Sequence, residues 1–272
     1  MMTHVWLNGQ LIPDKAASLP ISDRGFTLGD GLFETMLWTG TRIRFFDDHM
    51  ARLTDACEHL GFDLPNPVAT IESSLIDLCL MAGSQRGSVR LTLTRGTGPR
   101  GLTIPNGADH NLVASFAALT DATRPVSIAT AAIARNCTAP SARFKTLSYI
   151  DNVIALAQAK LYGGDDAVML GTNGNIACAS AANIIMQFQG TTLTPAVPDG
   201  ALPGIVRGRL IGARLVEEAN ISPAMLATCT SCALSNALIG VRPVGAIDGR
   251  ALAIDKIWLA RLNQELDAAS IG

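Results

Sequence analysis

The chain has no uninterrupted apolar run of the roughly 18–20 residues that a membrane-spanning helix needs, although hydrophobic residues make up 48% of its 272 positions. That combination excludes a helical membrane span and describes a well-buried globular protein. Charge is also scarce: charged residues are 16%, the net charge is -2, and no Lys/Arg cluster interleaves with aromatics. Nucleic acid and anionic membranes are therefore not expected partners, and a small molecule is. The four histidines, His4, His49, His59 and His110, have no metal-ligand spacing between them. The six cysteines, Cys57, Cys79, Cys137, Cys178, Cys229 and Cys232, are scattered through apolar segments and form no disulfide framework. Cys229 and Cys232 make a lone CxxC without a second ligand pair, so they read as structural and no metal is expected. The opening "MMTHVWLNGQ" has no basic head followed by an apolar stretch, which makes the cytoplasm the expected compartment. Internal repeats and low-complexity segments are absent as well.

What is present reads as strands mixed with helices. "VWLNGQLI" predicts a hairpin around Asn8-Gly9, because Asn-Gly tolerates the positive φ of a tight turn. "RIRFF" predicts a strand, with Asp47 or Asp48 then capping a helix that stops at Gly61. A second helix ends at Gly83, with Ile71, Leu75, Leu78 and Met81 on one face. Strands "SVRLTLTRG" and "NLVASFAAL" follow, and then the polar segment "TDATRP". This divides the chain into a smaller N-terminal domain (1–118), a linker (119–126) and a larger C-terminal, cofactor-binding domain (127–272). The second part predicts a strand "VSIATAAI" and a helix with Ile150, Val153, Ile154, Ala157 and Leu161 inward. A meander follows through "DAVML", "IACAS", "NIIMQF" and "TTLTP", then a helix after "ALPG" with Val206, Leu210 and Ala213 inward. Closing strands around "ALSNALIGVRPV" precede a last helix. Without regular βαβ alternation the fold class is α+β.

Lysine is rare enough for each one to be weighed: Lys15, Lys145, Lys160 and Lys256 are all there are. Lys145 lies in "SARFKTLSY" between Phe144 and Leu147 with no nearby acid. Amines among apolar groups give up their proton more readily, which suits Schiff-base chemistry and proton abstraction. A lysine snorkelling at a helix start carries the same local sequence, so both readings stand on this segment alone.

Seven segments taken together go further: "SDRGFTLGDGLFETM", "DDHMARL", "LTRGTGPRGL", "RFKTLSYIDNVIA", "GNIACASAAN", "LPGIVRGRLI" and "LSNALIGVRPV". Their order and approximate spacing resemble the class IV, fold-type IV pyridoxal-phosphate enzymes from Val5 to about Pro243. That group includes branched-chain and D-amino acid aminotransferases and 4-amino-4-deoxychorismate lyases. The resemblance implies two α/β-type domains with pyridoxal 5'-phosphate at their interface, and a homodimer. It gives Lys145 the role of the Schiff-base lysine and proton shuttle, and Arg52 in "HMARL" that of phosphate binding. Ile205 and Val206 match the helix start that offers backbone N–H groups to the phosphate, where a turn set by Pro203-Gly204 and the positive helix end favour a dianion. Many members have threonine where Val206 stands. Asn236 and Ala237 match a second phosphate-contacting turn, in a form more like the lyases than the Gly-Thr of transaminases. Arg100, followed by Gly101-Leu102, is the candidate for an amino-acid-like substrate carboxylate, again in the lyase form, because the histidine of D-amino acid aminotransferases is missing. Phe33 matches an aromatic pocket position and reads equally as a core residue.

One departure stands out. Aligning "GNIACASAAN" on Ser180 and Asn183 puts Cys178 where the family has a glutamate paired with the protonated cofactor ring nitrogen. From Ala167 to Pro198 there is no Asp or Glu to replace it. A thiol, or a thiolate beside a cation, is a poorer partner for an electron sink than a carboxylate. Elimination needs only that a leaving group departs, so the expected function is that of a 4-amino-4-deoxychorismate lyase giving 4-aminobenzoate and pyruvate for folate synthesis. A D-amino acid or branched-chain aminotransferase, and a cofactor-binding relative with weak or no turnover, stay open beside it.

Overall fold

The computed structural model of the chain describes residues 4–119 and 124–269, so most of the expected 119–126 linker, at 120–123, lies outside the described residues. The chain divides into two compact units. The first is Met1–Asp121 together with Lys145–Ser148, and the second is Ala122–Phe144 with Tyr149–Gly272. The assignment of residues 145–148 to the first unit differs from the boundaries read from sequence. Its cause is backbone pairing: Thr146 bridges Leu32.

In the first unit β1 (His4–Leu7) and β2 (Gln10–Pro13) form the Asn8-Gly9 hairpin, turning at φ 49° and 90°. They are followed by α1 (Arg24–Leu28), β3 (Gly31–Trp38), α2 (Phe46–Leu60), α3 (Val68–Ala82), β4 (Gly87–Thr94) and β5 (Asn111–Ala118). The five strands pair antiparallel in the order β2-β1-β5-β4-β3, which leaves β3 at one edge. Helix α2 packs on β3, and α3 on β1 and β5. Trp6, Met36, Trp38, Leu75, Leu91 and Leu112 are buried between them, each stabilising by about 1.5–3 kcal/mol or more through removal of apolar area from water. Two expectations are corrected here. "RIRFF" is no strand: only Ile43 bridges Trp38, and Phe45 takes a left-handed φ of 57° to start α2. Asp47 and Asp48 lie in the first turn of that helix rather than at its cap, where their charge favours the positive helix end. Met81 is half exposed, and Cys79 joins Ile71, Leu75 and Leu78 on the buried face of α3 instead, at the i, i+4, i+7, i+8 spacing of a helix stripe.

The second unit runs β6 (Val126–Thr130), α4 (Pro140–Arg143), α5 (Ile150–Leu161), β7 (Asp166–Leu170), β8 (Ile176–Ala179), β9 (Asn183–Phe188) and β10 (Thr191–Pro195). Then come α6 (Ile205–Gly212), β11 (Glu217–Ala219), α7 (Pro223–Thr228), β12 (Ser231–Asn236), β13 (Gly240–Ile247), β14 (Arg250–Ala251) and α8 (Lys256–Ala268). The strands form one mixed sheet in the order β11-β10-β9-β12-β13-β6-β7-β8, with β14 on β13 and with β6 parallel to both β13 and β7. Helix α6 packs on β12, α8 on β13, and α5 on β6 and β7. Cys229 and Cys232 are buried in the core of this unit. Among the described residues no helix is long and apolar enough to cross a membrane.

Helix α5 reverses the expected orientation. Ile150, Val153, Ile154, Ala157 and Leu161 face outward, while Asn152, Ala155 and Ala159 are buried. The sheet beneath presents Ala129, Ala131 and Ala167, so the helix sits close and only small side chains fit between. In α6, Val206 and Leu210 are buried as expected, but Ala213 is only half-buried.

A close approach at Gly31 gives the first prediction. A Cβ built there would lie 2.6 Å from both Leu93 O and Leu147 Cδ1. Gly31→Ala is therefore expected to lower stability by about 1–3 kcal/mol through overpacking. A denaturant midpoint that drops at unchanged m-value checks this, and an unmoved midpoint contradicts it.

Candidate active site

Lys145 is fixed by the edge of β3. Phe33 N donates to Lys145 O at 2.9 Å, and Leu147 N donates to Gly31 O at 2.9 Å. The segment after α4 thus adds a short rung to the strand edge that β4 leaves open. The lysine is half-buried, and its Nζ stands 4.2 Å from the centroid of the buried Phe33 ring. Arg90 brings its Cζ to 3.7 Å from the same centroid. The negative face of an aromatic ring attracts cations, so Phe33 is a core residue that also borders the lysine. Lys145 does not start a helix: α4 ends at Arg143 and α5 begins at Ile150.

The next residue of β3, Glu34, organises α2. Its Oε1 accepts from Arg52 Nε at 2.8 Å, and its Oε2 from Arg52 Nη2 at 2.6 Å, with His49 Nδ1 at 2.7 Å from Oε2. Glu34 is 1% exposed and His49 fully buried, while His49 Nε2 has no hydrogen-bond partner among the described residues. Burial alone would raise the Glu34 carboxyl; the Arg52 charge and the bonds to His49 and Arg52 overcome it and hold the group down to about 2. Arg52 is therefore set by a buried bidentate carboxylate, not by a surface pair. Neither Glu34 nor His49 was singled out from sequence. The available signal was a lone acid in an apolar strand, "GLFETML", matched by His49 and Arg52 three apart on one helix face.

The loop carrying Arg100 is held from behind. Asp23 caps α1, accepting from Gly25 N at 2.7 Å, and its other oxygen accepts from Thr94 Oγ1 and Asn111 Nδ2 at 2.7 Å each. Arg24 Nη1 donates to the carbonyls of Gly101 and Thr103 at 3.2 Å each. Asp30 joins Arg24 and Arg95 at 2.8 and 2.9 Å. The motif residues "SDRG" and "TRG" thus build the loop, and Arg100 itself is exposed with no ion pair among the described residues.

In the second unit the connection from β8 to β9 gathers the remaining candidates. Asn183 Nδ2 donates to Leu202 O at 2.9 Å, and its Oδ1 lies in the space that a Cβ on Gly204 would take, so this turn is tightly packed. Helix α6 then starts at Ile205 with no side-chain cap, and the Ile205 and Val206 amides have no hydrogen-bond partner among the described residues. Asn236 Nδ2 donates to Ala181 O at 3.0 Å, while its Oδ1 accepts from Leu238 N at 2.9 Å and Ile239 N at 3.1 Å. The Asn236 side chain is thus consumed by the turn. An uncapped helix start on a tight glycine turn suits a phosphate dianion, so these residues fit the phosphate end of pyridoxal phosphate. Cys178 lies on β8 opposite Met169 and is buried. Burial pushes its thiol up, with smaller opposing effects from Arg135, which lowers it, and Asp166, which raises it. Burial thus disfavours the thiolate form that the sequence also allowed.

Glu34 supplies a pH prediction. Its carboxyl is depressed from 4.5 to about 2 in the fold, so it contributes stability above pH 4.5 that is lost as the pH falls through 2. The contribution is on the order of 3 kcal/mol. Glu34→Gln is expected to lose several kcal/mol at neutral pH by stranding Arg52, with the gap to the parent closing toward pH 2. Urea titrations across that range check it; a pH-independent gap contradicts it.

Known proteins match this architecture. A structure from Legionella pneumophila, an inferred 4-amino-4-deoxychorismate lyase, is similar with a TM-score of 0.88 and 26% identity, covering 94% of this chain and 97% of that one. An inferred branched-chain-amino-acid aminotransferase of Methanocaldococcus jannaschii is 26% identical over 260 residues, 91% of this chain and 89% of the relative. The D-alanine aminotransferase of Bacillus licheniformis is 24% identical over 258 residues, with the same coverage of 91% and 89%. The amino-transferase class IV family model matches residues 31–247. With most of its length matched and a fold of type IV, the chain belongs to the class IV aminotransferase family of enzymes, whose cofactor is pyridoxal 5'-phosphate.

Proposed function

We propose that this enzyme is a lyase acting on 4-amino-4-deoxychorismate, releasing 4-aminobenzoate and pyruvate. The observation that carries the reading is the buried Cys178 in a segment without any acid. Similarity to the Legionella pneumophila protein supports it. The aminotransferase names of the curated relatives favour a second reading, transfer of the amino group of a D- or branched-chain amino acid.

Bound pyridoxal phosphate supplies an electron-withdrawing ring that acidifies the C–H bond beside the substrate amine. Lys145 is the residue assigned to hold the cofactor covalently and, through Nζ, to take the proton from that carbon. Its placement against Phe33 keeps the amine at one position. The electron pair of the broken C–H bond becomes a C=C bond of the substrate's own ring as the C–O bond to the enolpyruvyl group breaks; the departing enolpyruvate takes up a proton, which Lys145 would return, to become pyruvate, and aromaticity of the substrate ring drives the step. A substrate that gains aromaticity tolerates a weak electron sink. Arg52, the amides of Ile205 and Val206 and the Asn236–Ala237 turn are assigned to the phosphate, Cys178 to the ring nitrogen. Arg100 offers a planar pair of donors to a substrate carboxylate, and Phe33 borders the pocket. The resemblance further assigns a second copy of the chain as partner, as a homodimer.

Two measurements test this. Incubation with 4-amino-4-deoxychorismate is expected to release 4-aminobenzoate and pyruvate. Formation of a 2-oxo acid from an amino acid and 2-oxoglutarate, with no 4-aminobenzoate, decides for the aminotransferase. Lys145→Ala is expected to abolish turnover and the visible absorbance of covalently held cofactor; absorbance unchanged in that variant makes the lysine structural.

A further inference from the structure

The walls of one cavity in the second unit are tied together from two sides. The β13–β14 hairpin turns on Asp248-Gly249 at φ 48° and 78°, so Ile247 pairs directly with Arg250. Directly paired residues stand on one face of a sheet, which sets the Arg250 side chain beside Ile247. Asp248 fixes the hairpin to the end of β6: its Oδ1 accepts from Thr130 N at 2.6 Å and its Oδ2 from Thr130 Oγ1 at 2.7 Å. Arg250 fixes it to α7, with Nη2 donating to Leu226 O at 3.2 Å and lying 3.8 Å from Cys229 Sγ. Hairpin, strand end and helix together frame one opening.

Behind that opening is a cavity of about 200 Å³. Leu170, Ile176, Leu226 and Ile247 make its floor, and the last three are almost fully buried. Protein interiors leave few voids larger than a water molecule, so a space of this size with an apolar floor and a few polar groups at its rim has the character of a ligand site. An apolar cavity of about 150 Å³ takes up a benzene ring, and this one has room for a ring with a small polar head. Ile247 ends β13, whose first residue, Gly240, pairs with Asn236. At about 3.3 Å per residue, the length of that strand puts the cavity roughly 20 Å from the Asn236–Ala237 turn.

The rim specifies the head. Asp248 and Arg250 are the charged residues of the lining, and they form no ion pair with each other. Both oxygens of Asp248 are taken by Thr130, whereas Arg250 is exposed and its Nε and Nη1 have no hydrogen-bond partner among the described residues. Guanidinium donors left over in this way suit charge-assisted hydrogen bonds to a carboxylate. We infer that this cavity is an accessory binding site for an apolar carboxylate of benzoate size, its ring on Ile176, Leu226 and Ile247 and its carboxylate on Arg250. 4-Aminobenzoate, the product of the proposed reaction, is an acid of this class, but the site stands on its own geometry and does not depend on that reaction.

Holoenzyme crystals soaked with 4-iodobenzoate test this directly. The anomalous signal of iodine is expected inside the cavity, with the carboxylate against Arg250. In solution, calorimetric titration of holoenzyme with benzoate is expected to show saturable binding, and Arg250→Gln to weaken it about 10-fold or more by removing the charged donor. Ala227→Phe, at an exposed position of the lining, is expected to abolish that binding by filling the space. Benzyl alcohol, similar in size but without the charge, is expected to bind about 10-fold more weakly than benzoate. Iodine found only elsewhere in the parent crystal overturns the inference whether or not the variants fold. So does binding at crystal concentration only, or benzoate affinity that is equal in the parent, Arg250→Gln and Ala227→Phe proteins. Absence of 4-aminobenzoate release defeats the functional reading and leaves this site standing.

Discussion

The open edge of β3 sets most of what the first unit can do. Only one side of that strand pairs with β4; the other is taken by the backbone of Lys145–Ser148 through two hydrogen bonds and a bridge. Backbone pairing fixes register, and register fixes which face a side chain meets. Phe33 therefore turns its ring to Lys145, and Glu34 turns its carboxylate to α2 and holds Arg52 in a bidentate grip. Gly31 is bare because Leu93 O of β4 and the Leu147 side chain of the returning segment leave no room for a Cβ. One strand thus orients both Lys145 and Arg52, the residues to which the proposed function assigns the cofactor, from two consecutive side chains.

The two units treat buried charge in opposite ways. Glu34 is buried among partners that more than repay its desolvation, so it stays ionised. Arg135 is buried among carbonyl groups and an asparagine, which satisfy its hydrogen bonds without a direct ion pair among the described residues.

Much of this was legible in the sequence, because it depended on local chemistry. The Asn8-Gly9 hairpin, the glycine stops at Gly61 and Gly83 and the run of strands from β7 to β10 follow from turn residues and alternation. Lys145 was visible through its scarcity and apolar flanks. What escaped depended on distant partners. The apolar stripe of α5 predicted an inward face, but a floor of alanines on β6 and β7 selected the small side of the helix. "RIRFF" has strand composition, yet a left-handed Phe45 turns it into a helix entry. Asn236 matched a turn position, and the sequence did not show that its side-chain oxygen accepts from two amides of that turn.

The central proposal is that Cys178, in a stretch without any acid, makes this a site for elimination rather than for stable amino-group transfer. The most direct measurement is the half-reaction: purified holoenzyme mixed with D- or L-alanine and assayed for pyridoxamine phosphate. The account predicts no accumulation with either enantiomer. Rapid build-up approaching one equivalent per active site would contradict it.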